Sequence, residues 1–322
     1  MVSVIIPAFN AEKTIGNCLA SLMDQDYKGE TEIIVIDDGS TDSTPDIVSH
    51  YEKAQLIRQK NAGPAAARNK GAAGARGEII LFTDSDCVPE PDWISEMLRP
   101  FHENREVAGV KGAYKTRQRE ITARFVQLEY EDKYNYMLKD RYIDFIDTYS
   151  AGFRHNIFIE MNGYDTAFPV ACAEDVELSY RMSNKGYKMV FNPEAVVYHT
   201  HPNRLIDYLK KKYKFAYWRM LALKKNPDKA LKDSHTPQMM KLQLLFPPLI
   251  IGSTILTLMN SIFLISSLLL LMLFLITTVS FSFRSFRRDV VVGLLAPALL
   301  FLRATAQFSG VLSGSVFAGK RT

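Results

Sequence analysis

Short apolar runs alternate with polar, turn-forming stretches over the first half of the chain. Val2–Ile6, Glu32–Ile36 and Glu78–Phe82 are rich in Val and Ile and scarcely interrupted, the pattern of strands buried on both faces of a parallel sheet. Further strands are expected around Leu56–Arg58, Val107–Tyr114, Lys188–Phe191 and Ala195–Val197. Between them apolar residues recur at helical spacing. Ile15, Leu19 and Leu22 follow Asn10, a residue suited to capping a helix. Helices are also expected at Thr44–Tyr51, Ala65–Ala75, Pro91–Phe101 and Glu120–Lys139. The helix at 65–75, built of Ala and Gly, can approach a sheet closely. Glu174-Asp175 opens another helix that stops at Gly186. Strand and helix in alternation predict an α/β domain with right-handed crossovers. Val2–Ile6 already reads as the first strand, so no signal peptide is expected ahead of it.

The pattern changes after about residue 200. Gln243 to Phe283 contains no charged residue over 41 positions, room for two membrane spans of roughly 20 residues each. Pro247-Pro248 stand at the entry and Asn260-Ser261 at the turn, which puts the spans at 243–260 and 262–283. A third apolar stretch, 290–317, is interrupted by Pro297 and Arg303, and can be a span, a re-entrant helix or an interfacial one. Arg284, Arg287 and Arg288 precede it, and Lys320 and Arg321 follow it. Positive charge marks the cytoplasmic side, and two crossings plus a non-crossing segment keep both clusters there. Between Arg204 and Lys241 eleven basic residues face three acidic ones. Leu205, Ile206, Leu209, Tyr213, Tyr217 and Met220 recur there at helical spacing, so an amphipathic helix lying on an anionic membrane surface is expected. The chain thus divides at 1–203, 204–242 and 243–322.

Chemistry concentrates where apolar runs end. Ile33–Ile36 runs into Asp37-Asp38-Gly39-Ser40, and Ile79–Phe82 into Thr83-Asp84-Ser85-Asp86. In open parallel sheets ligands gather outside the carboxyl ends of the strands. The Asp84-Ser85-Asp86 turn offers hard oxygen ligands to Mg2+ or Mn2+, with a bound diphosphate filling other positions. Asp37 or Asp38 can accept hydrogen bonds from a nucleotide base or ribose, and Arg68 can add a donor. Glu174-Asp175 sits at a helix start, where carboxylates either cap the helix or, poised by each other, remove a proton from an attacking hydroxyl. His199 is a candidate third metal ligand, with His201 beside it as a rival. Cys18, Cys87 and Cys172 fit neither metal-ligand nor redox spacing and read as ordinary reduced cysteines. No Gly-x-Gly-x-x-Gly follows the first strand, which argues against a dinucleotide oxidoreductase.

Taken together, Pro7-Ala8-Phe9-Asn10, Asp37-Asp38-Gly39-Ser40-Thr41-Asp42, Ala67-Arg68-Asn69, Asp84-Ser85-Asp86 and Glu174-Asp175 occur in the order and spacing of family 2 glycosyltransferases. Over residues 1–200 the chain resembles the membrane-anchored bacterial or archaeal kind. The resemblance implies a GT-A fold, a Rossmann-like and mostly parallel sheet, followed here by transmembrane helices. It implies inverting transfer of one sugar from a UDP- or GDP-sugar, with Mg2+ or Mn2+. Position by position, Pro7, Ala8, Asn10, Asp37, Asp38, Arg68, Asp84 and Ser85 would bind the nucleotide-sugar. Asp86 and His199 would hold the metal, and Asp175 would be the general base beside Glu174. Gly152 and Arg154 correspond to the acceptor-side loop. Processive synthases of the family carry Gln-x-x-Arg-Trp near Lys214-Phe215-Ala216-Tyr217-Trp218, which does not match, so addition of a single sugar is expected. The acceptor is expected to be a lipid-linked glycan or glycolipid, with membrane lipids as partners, no nucleic acid, and the catalytic domain on the cytoplasmic face of the cell membrane. The alternatives are a polyprenyl-phosphate glycosyl synthase, whose acceptor phosphate needs no base, and an inactive transferase-like membrane scaffold.

Overall fold

The computed structural model describes residues 1–168, 172–230, 233–234 and 236–317; Lys320 and Arg321 lie outside the described residues. Two compact units emerge. One is formed by Met1–Arg117 with Tyr134–Thr200, the other by Gln118–Lys133 with His201–Thr322.

The first unit is built on strands β1 (Val2–Ala8), β2 (Thr31–Asp37), β3 (Ala54–Arg58), β4 (Ile79–Phe82), β5 (Cys87–Pro89), β6 (Val107–Lys115), β7 (Ala151–Arg154) and β8 (Lys188–His199). They form one sheet in the order β3-β2-β1-β4-β7-β6-β8-β5. β3, β2, β1 and β4 run parallel, β7 is antiparallel to both its neighbours, β6 and β8 are parallel, and β5 closes the edge antiparallel to β8. The carboxyl ends of β1, β2, β4, β6 and β8 therefore share one edge. Ile33–Ile36 and Ile79–Phe82 are buried throughout, as uninterrupted apolar strands covered on both faces must be. The expected strands at 188–191 and 195–197 are one continuous strand, β8, whose register on β6 shifts in two places.

Helices α1 (Ile15–Met23), α2 (Thr44–Ser49), α3 (Pro64–Gly74) and α4 (Trp93–Glu103) alternate with the strands. α1 buries Ile15, Cys18, Leu19 and Leu22, the stripe its spacing predicts. In α3 a Cβ on Gly71 would collide with Ile5 of β1, so the small residue lets this helix lie against the sheet. α5 (Ile121–Met137) passes between the two groups of residues, and α6 (His155–Glu160) and α7 (Glu174–Asn184) complete the first unit.

The second unit gathers the start of α5 with α8 (Leu205–Lys225), α9 (Gln238–Gln243), α10 (Phe246–Leu256), α11 (Ile262–Arg288) and α12 (Val290–Phe317). Phe125, Tyr208, Phe274, Phe281, Val292 and Ala296 pack together in its core. Three helical stretches, Gln238–Leu256, Ile262–Arg288 and Val290–Phe317, are long and apolar enough to cross a membrane. In the most apolar windows of the first two only 17% is buried, and Ile262, Ile265, Leu268, Ile276 and Val279 of α11 point outward. An apolar outer face of that kind suits lipid rather than water.

Candidate active site

The end of β2 is locked from several sides. Asp37 is fully buried and accepts from the Ser40 amide at 3.1 Å and from Arg58 Nε at 3.0 Å. Asp38 accepts from Gln59 Nε2 at 2.7 Å and from the amides of Ala62 at 2.8 Å and Gly63 at 2.9 Å. These fill three of its roughly four acceptor positions. Gly39 has φ +80°, and a Cβ there would lie 2.9 Å from the Asn61 nitrogen, so this turn requires glycine. Pro7 and Ala8 end β1 in register with Ile36 and Asp37. Asn10 accepts from the Thr41 amide at 2.9 Å and donates its own N–H to Ser40 Oγ at 2.9 Å. It is not a helix cap: α1 starts at Ile15 with Thr14 at the cap position, and Asn10 (φ 49°) stitches two strand-end loops instead.

At the end of β4, Arg68 links two sequence-distant motifs. Its NH2 donates to Asp84 at 2.6 Å and its NH1 to Glu174 at 3.1 Å. Both Arg68 and Glu174 are almost completely buried, whereas the Asp84 side chain is 26% exposed. The other Glu174 oxygen accepts from the amides of Cys172 at 2.9 Å and Ala173 at 3.1 Å. Beside it Asp175 accepts from the Val176 amide at 2.7 Å. Burial pushes the Asp175 carboxyl well above the usual aspartate range, and the charges of Glu174 and Asp147 push it further. A carboxyl so placed binds a proton readily, as a general base must.

Asp86 is exposed and Ser85 half-buried on the same turn. β5 then pairs with the end of β8, Cys87 opposite His199. This brings His199 Nδ1 to 3.5 Å from Asp86 Oδ2. The His199 ring stacks on Tyr114 at 4.9 Å between centroids. A carboxylate and an imidazole converging at the sheet edge fit a divalent cation such as Mn2+.

The chain is similar to known proteins. The glycosyl transferase family 2 profile matches residues 3–161. Over those residues the chain carries a family 2 glycosyltransferase domain. It is 30% identical over 217 residues to the probable glycosyltransferase YdaM of Bacillus subtilis, covering 62% of this chain and 51% of that protein. It is 26% identical over 238 residues to the pre-mycofactocin glycosyltransferase of Mycobacterium tuberculosis, covering 71% of this chain and 48% of the relative. The chain spans 17% to 55% of the length of the curated relatives it matches. Its fold is that of the mannosyltransferase PcManGT from Pyrobaculum calidifontis, solved in complex with GDP-Man and Mn2+. The TM-score is 0.65 at 19% identity, over 97% of this chain and 86% of that one. The first unit is thus a GT-A domain.

Gly152 and Arg154, two residues expected in an acceptor-side loop, lie in β7. β7 runs antiparallel to β4, so Gly152 pairs with Leu81 and Arg154 with Ile79. Gly152 is in the middle of the sheet, where a Cβ would press on Leu81 and Met97. Arg154 is at the opposite edge, donating to the carbonyls of Val107 at 2.9 Å and Phe101 at 3.3 Å. There it lines, with Arg76, Glu78 and His155, a cavity of about 1150 Å³ that includes none of Asp84, Asp86, Glu174 or Asp175.

Sequence reasoning missed a buried group on β6. The Lys111 ammonium donates to Asp147 and, at 2.7 Å, to Tyr149 Oη. Burial lowers the lysine pKa and raises that of Asp147, each offset in part by the other. The one available signal was a lysine inside the apolar run Val107–Tyr114. Cys87, which by spacing reads as an ordinary reduced cysteine, stands beside His199, and no local pattern announces that.

Proposed function

We propose that the protein transfers one sugar, with inversion, from a nucleotide-diphosphate sugar to a hydroxyl of a lipid-linked acceptor. The observation that carries this reading is the Arg68 bridge, which joins the strand-end carboxylate Asp84 to the helix that presents Asp175. This supports a reading in which donor and acceptor chemistry share one site. The complex of PcManGT with GDP-Man and Mn2+ supports a nucleotide-sugar donor and a divalent cation on a matching fold.

In the reaction Asp175 takes the proton from the acceptor hydroxyl. The oxygen then bonds to the anomeric carbon from the face opposite the diphosphate, and the carbon–oxygen bond to the diphosphate breaks with its electron pair leaving on the nucleoside diphosphate. Asp86 and His199 would hold a divalent cation, which would supply charge neutralisation for that leaving group. Asp38, Asn10 and Gly39 keep the nucleotide-side loops in place. Arg68, with both terminal nitrogens engaged in protein ion pairs, orients Asp84 and Glu174.

We further propose that the apolar helices anchor the enzyme with two crossings, α9–α10 and α11, and that α12 lies at the interface. Gly310 and Gly314 of α12 touch the main chain of Tyr213 and Tyr217 in basic α8, and Arg303 pairs with Glu129 of α5 at 2.7 Å. Charged helices along one side of α12, and Arg303 within it, favour an interfacial course over a full crossing. Arg284 and Arg288 at the end of α11 pair with Asp132 and Glu131 of α5, which favours a cytosolic position for this end.

The test is transfer from a panel of labelled nucleotide sugars, with Mg2+ or Mn2+, into lipid extract of the native host. Label entering the lipid phase with wild type, and none with Asp175→Asn although nucleotide binding persists, is the expected result. Undiminished transfer by Asp175→Asn refutes the base and points to a phosphate acceptor. Loss of both transfer and nucleotide binding in wild type points to a scaffold.

A further inference from the structure

β5 is only three residues long, yet its antiparallel pairing with β8 sets Cys87 directly across from His199. The thiol Sγ lies 4.0 Å from His199 Nδ1 and 4.0 Å from Asp86 Oδ1, and His199 Nδ1 lies 3.5 Å from Asp86 Oδ2. One donor atom from each of the three residues falls within 4.8 Å of the other two. In a tetrahedral zinc site, with bonds of about 2.3 Å to sulfur and about 2.1 Å to nitrogen or oxygen, ligand atoms stand roughly 3.4–3.6 Å apart. Measured to a single oxygen of Asp86, the three donors lie within 4.8 Å of one another, so closing them on one ion asks for side-chain shifts of roughly an ångström. The main chain fixes the thiol there, since the Cys87 amide donates to the Asp84 carbonyl at 3.0 Å.

We propose that Cys87 is a third, soft donor at the Asp86–His199 cation site, and that the site therefore takes thiophilic Zn2+ or Cd2+ in a mode that Mg2+ and Mn2+ do not use. This rests on the reading of Asp86 and His199 as the cation ligands. Hard cations prefer the carboxylate and the diphosphate oxygens and leave the thiol protonated. A thiophilic ion displaces the thiol proton to solvent: the S–H bond breaks, an S–metal bond forms, and no electron changes hands. Three protein ligands of mixed O, N and S character make a tight site with one position open. Such an ion occupies the place of the working cation and makes the enzyme sensitive to zinc.

The test uses the full-length chain in detergent, titrated with Cd2+ and followed by the ultraviolet thiolate-to-cadmium charge-transfer band. Mn2+ binding is measured separately by paramagnetic resonance in the presence of nucleoside diphosphate. Wild type should show a band that saturates at one equivalent. Cys87→Ser and Cys87→Ala should both lose the band and keep Mn2+ binding, and Zn2+ should compete with Mn2+ more than about tenfold less well in them than in wild type. A band that survives both substitutions assigns the signal to Cys18 or Cys172 and overturns the proposal. So does the absence of any band from a wild type that binds Mn2+. A wild type that binds neither ion removes the Asp86–His199 site itself and the proposal with it.

Discussion

Replacing Arg68 with methionine removes the cation that joins Asp84 to Glu174, 90 residues apart in the sequence. Arg68 is 2% exposed and pairs with Asp84 at 2.6 Å and Glu174 at 3.1 Å. Asp84 is exposed enough for water to replace the arginine. Glu174 is not: its side chain is 2% exposed, so its charge would stay behind unpaired. Removing one partner of a buried ion pair costs about 3–5 kcal/mol. Glu174 retains two amide donors from Cys172 and Ala173 and the N-terminus of α7, an offset of about 1 kcal/mol. The lower figure, about 3 kcal/mol, is therefore expected, and for a unit of this size it lowers Tm by about 6–12 °C. Thermal unfolding of the full chain in detergent measures it, with Trp93, fully buried in the first unit, contributing to the fluorescence signal. The double variant Arg68→Met/Glu174→Gln deletes both charges and should lose less than the sum of the two singles, by at least about 1 kcal/mol. A Tm shift under about 2 °C for Arg68→Met, or strictly additive losses in the double variant, refutes the bridge as the joint between these motifs.

Further outcomes are expected in both units. Because burial and then Glu174 raise the Asp175 carboxyl, the acid limb of the kcat/KM–pH profile should lie above the ordinary aspartate range, and Glu174→Gln should move it to lower pH; an unmoved limb contradicts the coupling. The same shift means that the folded state holds this proton more tightly, so the contribution of Asp175 to stability is full at low pH and lost as pH rises through the folded value. In the second unit Glu129 accepts from Tyr208 at 2.7 Å and pairs with Lys212 at 3.0 Å and Arg303 at 2.7 Å. Burial opposes its charge, but Lys212 and Arg303 outweigh that and hold its carboxyl at about 2. Its contribution is therefore present above about pH 4 and disappears as the pH falls towards 2. Glu129→Gln, which leaves Lys212 and Arg303 facing each other, should cost about 3–5 kcal/mol and expose α8 to limited proteolysis. Unchanged protease resistance contradicts that role.

Much of the first unit was legible along the chain because its signals are local. Apolar runs such as Ile33–Ile36 and Ile79–Phe82 mark the strands, and the carboxylates that follow mark where those strands stop. The 41 uncharged residues from Gln243 announce apolar helices for the same reason: composition over one helix length is enough. The expected spans, the turn at Asn260-Ser261 and the helix at Glu174 follow from such short windows.

Strand direction and partner choice have no comparable local signature. Only the antiparallel course of β7 sends Arg154 to the far edge of the sheet, and only the pairing of β5 with β8 brings Cys87 to His199 across 112 positions. The grouping of Gln118–Lys133 with the C-terminal helices likewise depends on long-range partners, above all the buried Glu129–Arg303 pair. The chain states which residues can do chemistry, through their type and immediate spacing. Which of them meet is decided by packing between segments far apart in sequence, where the free energy resides in contacts that no single segment contains.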